Sequence, residues 1–521
     1  MLFPETTERS NRETLHLMTG KIGMLFTAAV LLAGGCATNS LERSLPGEEG
    51  VDPAAVQAFV ESLERKMMQS GDTLNGDPNA FMLLKNGKVI AEGAWAPCRL
   101  DAPRHVFSMS KSFTSTAVGF AVQEKRLTLE DPVISFFPDK LPLQISGHLA
   151  AMRVRDLLTM QSGHKSDPIG KMFEAKDLVR GFLGSEIEFK PGTHFVYNNG
   201  ATYMLSAIIT KVTGESLRDY LTPRLFEPLG IENVKWEADD RGVNFGAWGL
   251  HLTPEDAAKF AQFCLNKGRW NGKQLLSEGW INLATAPQCN VVAGDDRSDW
   301  NQGYGFQFWR CRNGAFRADG FLGQYAVVME DEDAVLIMFN SSNRLQPALD
   351  TVWETLLPAL RGEPVRPERK TTDASLRTFL AGLTLSFPEK TVEPKLFRPG
   401  GKVSVSLPDD NPFHAEKLLF EHDGKQLRAT LNGYPMNFGI GSWAENPAVP
   451  GAADGERSYP IEGPLFGRAF QQGADEWLLV TVSPNSAIQN FFRFRFDGGT
   501  VALEGRFNFD ETPVETTGKI D

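Results

Sequence analysis

The feature that most constrains this chain is an apolar run, His105 to Val122, that contains Ser108 and Lys111. Its composition predicts a buried helix, on which two residues three positions apart lie on the same face, one turn apart. A serine hydroxyl becomes a good nucleophile when a nearby base takes its proton, and burial lowers the pKa of a lysine toward that role. Because Ser-x-x-Lys alone also describes a surface serine near a solvated lysine, the surrounding motifs decide between the two.

A second cluster occupies residues 189–200. A Pro191-Gly192 turn leads into a short extended run, then Tyr197-x-Asn199, then an apolar helix. A tyrosine can relay a proton between nucleophile, lysine and leaving group, and an asparagine can orient the lysine and donate to a substrate carbonyl. The alternative is a core tyrosine beside a turn asparagine.

A third cluster, residues 304–328, predicts hairpin strands of an antiparallel sheet. Glycine at a strand edge, here Gly320, lets a substrate approach the backbone closely. The N–H groups of Phe321 and Ser108 are candidates for a two-donor oxyanion hole. Alternating aromatic residues suit an apolar acyl or alcohol group, or belong to the core: Phe306, Phe308 and Tyr325.

In this order and spacing, the three clusters resemble the serine β-lactamase and penicillin-binding-protein superfamily. The likeness is greatest to its class C-like branch, which includes family VIII carboxylesterases, D-aminopeptidases and 6-aminohexanoate-dimer hydrolases, and it covers roughly residues 50–360. It implies that Ser108 and Lys111 are the family's Ser-x-x-Lys, and Tyr197 and Asn199 its Tyr-x-Asn. The oxyanion and substrate-binding positions that the resemblance implies are Asp319, Gly320, Phe321, Gly323 and Gln324.

The third motif departs from the family pattern. The family's Lys/His-Thr-Gly falls on Ala318-Asp319-Gly320, so the cation that holds a substrate carboxylate is missing and an aspartate stands beside the gap. Arg317 compensates only if it faces the site, which strand alternation leaves open. We therefore expect small esters, or amides lacking that carboxylate, rather than penicillins or D-Ala-D-Ala peptides.

The N-terminus predicts export. Residues 22–35 form an uncharged apolar run after Lys21, too short to span a bilayer but suited to a signal peptide. The run ends in Leu-Ala-Gly-Gly-Cys36, which resembles a bacterial lipobox with one extra glycine. We expect a signal peptide over 1–36, lipidation at Cys36 and a tether over 37–51, with a plain secretory signal as the alternative. The protein would then be periplasmic or anchored to a membrane, and Met18 is an alternative start.

Net charge and cysteine and histidine content limit which binding partners, disulfides and cofactors are expected. The net charge is −12 and there is no long basic run, which argues against nucleic acid. Four further cysteines, at 98, 264, 289 and 311, permit disulfides in an oxidising compartment, with three possible connectivities. The histidines and cysteines show no metal-ligand spacing, so neither a metal nor a cofactor is expected.

The 521 residues are too many for one ordinary core. Residues 52–69 have helical periodicity, and Asn86-Gly87 between two apolar runs predicts a hairpin. With a mostly helical middle, strands returning at 304–340 and a last helix near 346–360, residues 52–362 predict an α+β fold: an antiparallel sheet flanked by helices, with a helical subdomain. A linker over 363–374 then precedes an all-β barrel or sandwich over 375–521.

Three functions remain open. The first is a serine hydrolase, of carboxylesterase or amidase type, that forms an acyl-enzyme on Ser108. The second is a D,D-peptidase or β-lactamase on the same scaffold, against which the missing cation argues. The third is a catalytically degenerate sensor or binding lipoprotein, against which the joint presence of Ser108, Lys111, Tyr197 and Asn199 argues.

Overall fold

The computed structural model describes residues 40–68, 77–291, 297–363, 370–387, 389–390, 392, 397–447, 463–510 and 512–521. The predicted signal peptide and Cys36 lie outside these residues. Within them, no helix is long and apolar enough to cross a membrane.

The helices, apart from short 3-10 and π turns, are α1 (Pro53–Met68), α2 (Ser110–Gln123), α3 (Gly147–Ala151), α4 (Val154–Leu158), α5 (Ile169–Glu174), α6 (Leu178–Leu183), α7 (Asn199–Thr213), α8 (Leu217–Leu221), α9 (Glu227–Leu229), α10 (Pro254–Leu265), α11 (Glu278–Thr285), α12 (Gln346–Thr351), α13 (Leu357–Leu360) and α14 (Asp373–Ala381). The strands are β1 (Pro78–Lys85), β2 (Lys88–Ala94), β3 (Arg104–His105), β4 (Lys235–Trp236), β5 (Leu250–Leu252), β6 (Arg269–Trp270), β7 (Lys273–Gln274), β8 (Trp309–Arg310), β9 (Phe316–Gly320), β10 (Gln324–Met329), β11 (Ala334–Asn340), β12 (Lys402–Ser406), β13 (Lys417–His422), β14 (Gln426–Leu431), β15 (Tyr434–Ile440), β16 (Ala444–Asn446), β17 (Leu465–Gly473), β18 (Glu476–Val482), β19 (Gln489–Asp497), β20 (Thr500–Phe507) and β21 (Val514–Ile520).

A six-stranded sheet joins the two ends of the hydrolase segment. Its strand order is β2-β1-β11-β10-β9-β8, and its pairs are antiparallel. Asn86 and Gly87 both have positive φ, 53° and 78°, as a tight hairpin between right-twisted strands requires. The predicted Asn-Gly hairpin and the predicted antiparallel sheet are confirmed.

Helices cover both faces of this sheet. On one face α1 and α12 pack together, and their apolar residues share a core with the sheet. On the other face α2 and α10 pack in a larger core with the helical middle of the chain. The sheet with its helical subdomain agrees with the predicted α+β class.

The C-terminal strands close into a β-barrel. Ten strands run in the order β15-β14-β13-β12-β21-β20-β19-β18-β17-β16, and an additional pairing of β15 with β17 closes the sheet. The core is rich in aromatic side chains, including Phe420, Phe494 and Phe496, which are nearly inaccessible to solvent. The barrel encloses packed side chains, as a small barrel does.

The segments before and after the hydrolase region lie against it. Ser44 N–H donates to the carbonyl of Val89 in β2, at 2.9 Å. Helix α14 packs on α1 and β2, where Leu376 and Leu380 join the same apolar core as Phe470 of the barrel. The barrel and the sheet are therefore joined through a shared core.

The four cysteines of the described part of the chain are all free thiols. Cys98, Cys264 and Cys311 are buried, and Cys264 lies on the buried side of α10, as its apolar helical setting predicted.

Candidate active site

Ser108 lies in a short 3-10 turn, Phe107–Met109, that leads directly into α2. Phe107 has a φ of 49°, a conformation that bulky residues rarely adopt. Ser110 Oγ donates to the Phe107 carbonyl at 2.6 Å and braces the turn. The result is a half-buried serine held at the N-terminal end of a helix that is otherwise enclosed in the core.

Lys111, one helical turn further on, is 1% exposed and points at the serine. Its Nζ lies 2.9 Å from Ser108 Oγ, 2.7 Å from Asn199 Oδ1 and 2.9 Å from the carbonyl oxygen of Ala247. Burial lowers the pKa of Lys111 to about 7, and the negative charges of Asp167 and Asp319 oppose this effect in part. Lys111 is therefore positioned and tuned to act as a base at neutral pH.

Tyr197 stands just before α7, and its ring stacks on Trp309 of β8 with centroids 5.8 Å apart. Lys111 Nζ lies 4.8 Å from the centroid of the Tyr197 ring. Burial raises the pKa of Tyr197 above its ordinary value, although hydrogen bonding with Ser108 acts in the opposite direction. The phenol therefore keeps its proton at neutral pH, whereas Lys111 can lose its own.

Asn199 connects the lysine to a carboxylate that sequence reasoning missed. Its Oδ1 accepts from Lys111, while its Nδ2 donates to Asp167 Oδ2 at 2.7 Å. This fixes which end of the amide faces the lysine. The neighbouring Asn198 caps α7 by accepting from the Ala201 N–H at 2.8 Å, so the helix start holds Asn199 in place. No motif marks Asp167, which lies in a loop before α5.

At the end of β9, the backbone of Gly320 packs directly against the chain segment that precedes Ser108. A Cβ added to Gly320 would lie 2.3 Å from the carbonyl oxygen of Val106, so only glycine fits between β9 and the segment before Ser108. The turn that follows has positive φ at Leu322 (60°) and Gly323 (81°). This places Phe321, proposed from sequence as an oxyanion donor, in the turn directly after Gly320.

Gln324 braces that turn from within. Its side chain is fully buried, and its Nε2 donates to the carbonyls of Phe321 and Leu322 at 3.2 Å and to that of Asn340 at 2.7 Å. We assign Gln324 a supporting role for the turn rather than contact with substrate.

Arg317 and Asp319 pair with each other inside the protein. Arg317 Nε donates to Asp319 Oδ2 at 2.8 Å, and the arginine side chain is 0% exposed. Arg317 Nη1 donates to the carbonyls of Asp299 and Arg310, at 3.0 and 3.2 Å. Arg317 Nη2 has no hydrogen-bond partner among the described residues, but the whole side chain is enclosed and Ala318 is buried beside it, so β9 presents no cation to a substrate.

The barrel reaches the site with aromatic residues. The Phe107 ring lies 5.6 Å from that of Phe321, which lies 5.8 Å from Phe509, and Phe509 stacks on Phe507 at 5.3 Å. Phe321 is 43% exposed, whereas Phe107 is buried. We call these four residues the aromatic wall; two of its members come from the hydrolase region and two from the barrel.

Hydrogen bonds hold the barrel against the nucleophile segment. His105 N–H donates to the carbonyl of Asn485 at 3.1 Å, and Asn485 Nδ2 donates to the carbonyl of Pro103 at 2.7 Å. Asn508 Nδ2 donates to the carbonyls of Ser341 and Ala487, at 3.0 and 2.9 Å.

The aromatic residues that the sequence suggested for the substrate pocket lie in the core instead. Phe306, Phe308 and Tyr325 are at most 2% exposed.

A family model described as Beta-lactamase matches residues 60–359. The D-aminopeptidase of Brucella anthropi is 28% identical over 211 residues, which are 36% of this chain and 37% of that protein. Protein flp of Staphylococcus aureus strain MW2 is 27% identical over 187 residues, 33% of this chain and 37% of that protein.

Among solved structures, the octameric penicillin-binding protein homologue from Pyrococcus abyssi aligns with a TM-score of 0.46 and 18% identity, over 88% of this chain and 99% of that one. The curated relatives are matched over little more than a third of their own length.

Proposed function

Because the chain belongs to the Beta-lactamase family, we propose that it is a serine hydrolase that cleaves small neutral esters or amides through an acyl-enzyme on Ser108. The observation that carries the proposal is the contact of Lys111 Nζ with Ser108 Oγ at 2.9 Å, together with a lysine pKa of about 7. At neutral pH roughly half of the lysine is uncharged and able to take the serine proton.

The reaction follows from the positions of the side chains. Ser108 Oγ attacks the substrate carbonyl while Lys111 takes its proton, and the protonated Tyr197 donates to the leaving group. The N–H groups of Ser108 and Phe321 hold the developing oxyanion, a contribution worth about 10²–10³ in rate for a single donor in other enzymes. Water then attacks the acyl group with the same residues in the reverse roles, and Asn199, held by Asp167, keeps the lysine aimed at the serine.

Two features support a neutral, apolar substrate. Arg317 donates to internal acceptors and Ala318 is buried, so a substrate carboxylate gains no charge-assisted hydrogen bond from β9. The aromatic wall beside Ser108 offers apolar surface to an acyl or alcohol group, and the exposed face of Phe321 is available for that contact.

The test is a substrate panel with active-site labelling. Purified full-length protein is assayed on p-nitrophenyl butyrate, a D-amino acid p-nitroanilide, a short linear amide and nitrocefin, and is treated with a fluorophosphonate probe. We expect ester hydrolysis to exceed nitrocefin hydrolysis, and Ser108→Ala to lose both turnover and labelling. Ser135→Ala, on an exposed serine, is the matched control. Unchanged turnover in folded Ser108→Ala would remove Ser108 as nucleophile.

One observation favours the second candidate, a D,D-peptidase or β-lactamase. Arg344 follows β11, where Ser342 N–H donates to the carbonyl of Leu322 in the turn after β9. Among the described residues, Arg344 Nη1 is buried without a hydrogen-bond partner. If Arg344 turns toward the site, a charge-assisted hydrogen bond to a substrate carboxylate contributes about 1.5–3 kcal/mol, or roughly ten- to a hundredfold in binding.

Arg344→Leu distinguishes the two candidates. If the substrate carries a carboxylate, the variant loses at least about tenfold in kcat/KM for nitrocefin or a D-Ala-D-Ala peptide and little for the neutral ester. If kcat/KM changes by the same factor for the neutral ester and for the carboxylate-bearing substrates, Arg344 does not recognise a carboxylate, which supports the neutral-substrate proposal.

We also propose that the protein is exported and lipidated at Cys36, which supplies a membrane anchor. The support is the apolar run that ends at this cysteine. Intact-mass analysis from a bacterial host tests it: a diacylglyceryl mass at Cys36 is expected, and an unmodified, freely soluble mature chain would contradict it.

A further inference from the structure

A cluster of potential metal ligands lies beside the catalytic segment and takes no part in the proposed reaction. His105 of β3 and His251 of β5 are direct cross-strand partners, and Glu237 follows β4 in the same three-stranded sheet. One ligand atom from each of the three residues lies within 4.8 Å of the others. The histidine spacing in the sequence predicted no such site, because strand pairing alone brings these positions together.

The distances suit a transition-metal ion. Glu237 Oε1 lies 3.5 Å from His251 Nε2 and 3.9 Å from His105 Nε2. Four-coordinate Zn²⁺ with bonds of about 2.0–2.1 Å separates its ligand atoms by about 3.3 Å. To reach that spacing, the two carboxylate–imidazole distances shorten by about 0.2 and 0.6 Å, and a pair at the 4.8 Å limit shortens by about 1.5 Å.

His251 directs a buried ring nitrogen at the Glu237 carboxylate without forming a hydrogen bond of normal length. Its side chain is 9% exposed, and its Nε2 is buried without a hydrogen-bond partner among the described residues. Buried polar atoms are rarely left in this condition. Its ion-pair partner is the Glu237 carboxylate, whose Oε1 lies 3.5 Å from Nε2.

The backbone holds the cluster in place. Glu237 N–H donates to the carbonyl of Gly249 at 2.9 Å, and Gly249 N–H donates to His105 Nε2 at 3.1 Å. A Cβ on Gly249 would lie 2.8 Å from that of Glu237, so the close approach of these strands depends on glycine. Coordination through His105 Nε2 would exchange its hydrogen bond with Gly249 for a metal bond. Glu237 is 32% exposed, which leaves an open side for water ligands.

We propose that His105, Glu237 and His251 form a binding site for a divalent transition-metal ion of the Zn²⁺ class. Two imidazoles and one carboxylate are a common Zn²⁺ ligand set, whereas Mg²⁺ and Ca²⁺ favour oxygen ligands. The ion joins the three strands β3, β4 and β5, which lead to Ser108 on one side and to the Ala247 carbonyl on the other. This inference is independent of the proposed hydrolase function.

The test is metal binding by the full-length, tag-free protein after chelator treatment. Calorimetric titration with ZnCl₂ should give one equivalent bound and a raised Tm, and CoCl₂ should give the visible spectrum of Co²⁺ with nitrogen and oxygen ligands. Glu237→Gln, which keeps the side-chain shape, and His251→Ala should each weaken Zn²⁺ binding by more than about tenfold, since even outer-shell changes cost about 10–100-fold. His414→Asn, on an exposed histidine, is the matched control and should bind as the wild type does.

Two results would overturn the proposal. One is the absence of stoichiometric Zn²⁺ binding in the wild type. The other is wild-type Zn²⁺ affinity in folded Glu237→Gln, which would place the ion elsewhere, for example on the free cysteines. Circular dichroism of each variant establishes that it is folded, and Glu237→Gln carries the test if His251→Ala is not.

Discussion

The substitution Asp167→Asn should move the acid limb of the pH–rate profile to lower pH. Burial lowers the pKa of Lys111 to about 7, and the negative charge of Asp167 is the largest influence opposing that shift. The lysine acts as a base only when it is uncharged. Removing the charge of Asp167 lets burial lower the lysine pKa further, so the enzyme remains active in more acidic solution.

The magnitude follows from the geometry. A nearby opposite charge shifts a pKa by about 1–3 units. Asp167 acts across the Asn199 side chain and is half-buried, so we expect a shift of about one unit. Each unit below the lysine pKa costs about tenfold in uncharged lysine. At pH 5 the wild type should therefore lie about a hundredfold below its plateau in kcat/KM, and Asp167→Asn about tenfold below its own.

The assay is the initial rate of p-nitrophenyl butyrate hydrolysis between about pH 5 and pH 10, read at the isosbestic wavelength of p-nitrophenol. The position of the limb reports the pKa of Lys111 and is read separately from the height of the plateau. Asp219→Asn, which removes an exposed carboxylate that does not act on Lys111, should leave the limb near pH 7. A wild-type limb near pH 10, or an Asp167→Asn limb that stays or moves upward, would refute the reasoning.

Two further predictions concern stability and selectivity. Lys111→Met should abolish hydrolysis and raise the free energy of unfolding by about 2 kcal/mol at pH 6. In the wild type, the shift of the lysine pKa from 10.5 to about 7 destabilises the folded state by about 5 kcal/mol. The variant removes this destabilisation but also loses three hydrogen bonds, which contribute about 3 kcal/mol. Because the lysine pKa in the folded state lies below that in the unfolded state, the destabilisation is complete below pH 7 and disappears as the pH rises to 10.5. Urea unfolding of wild type and variant at pH 6 and pH 10.5 measures the difference, and an equal effect of the substitution at both pH values would contradict the prediction. Phe509→Ala should lower kcat/KM for p-nitrophenyl octanoate relative to the acetate by roughly two- to tenfold, since an aromatic contact is worth about 0.5–1.5 kcal/mol; an unchanged ratio would remove Phe509 from the substrate site.

Local spacing explains what could be predicted about the catalytic pair. Ser108 and Lys111 are three residues apart where a 3-10 turn runs directly into an apolar helix, so any chain that forms this helical start brings them together. The same holds for the hairpin at Asn86-Gly87, whose turn depends on two adjacent residues. Tyr197 and Asn199 were identified by their motif, although the contact of Asn199 with the lysine spans 88 positions of chain.

Contacts between distant segments could not be predicted in this way. Asp167 carries no motif, and only its loop before α5 brings it to Asn199. The carbonyl of Ala247 is a backbone group, which no residue pattern reveals. The direction of Arg317 depended on which face of β9 it occupies, and the structure places it among internal acceptors.

By itself, the sequence determined the α+β class, the Ser-Lys pair, the Tyr-x-Asn motif and the all-β C-terminal region, because these depend on periodicity and short spacings within one element. Only the tertiary structure decided that the barrel adds Phe507 and Phe509 to the wall beside Ser108, and that His105, Glu237 and His251 meet. The reason is physical: strand pairing and core packing join residues hundreds of positions apart, and their energies depend on the assembled surfaces rather than on any local pattern.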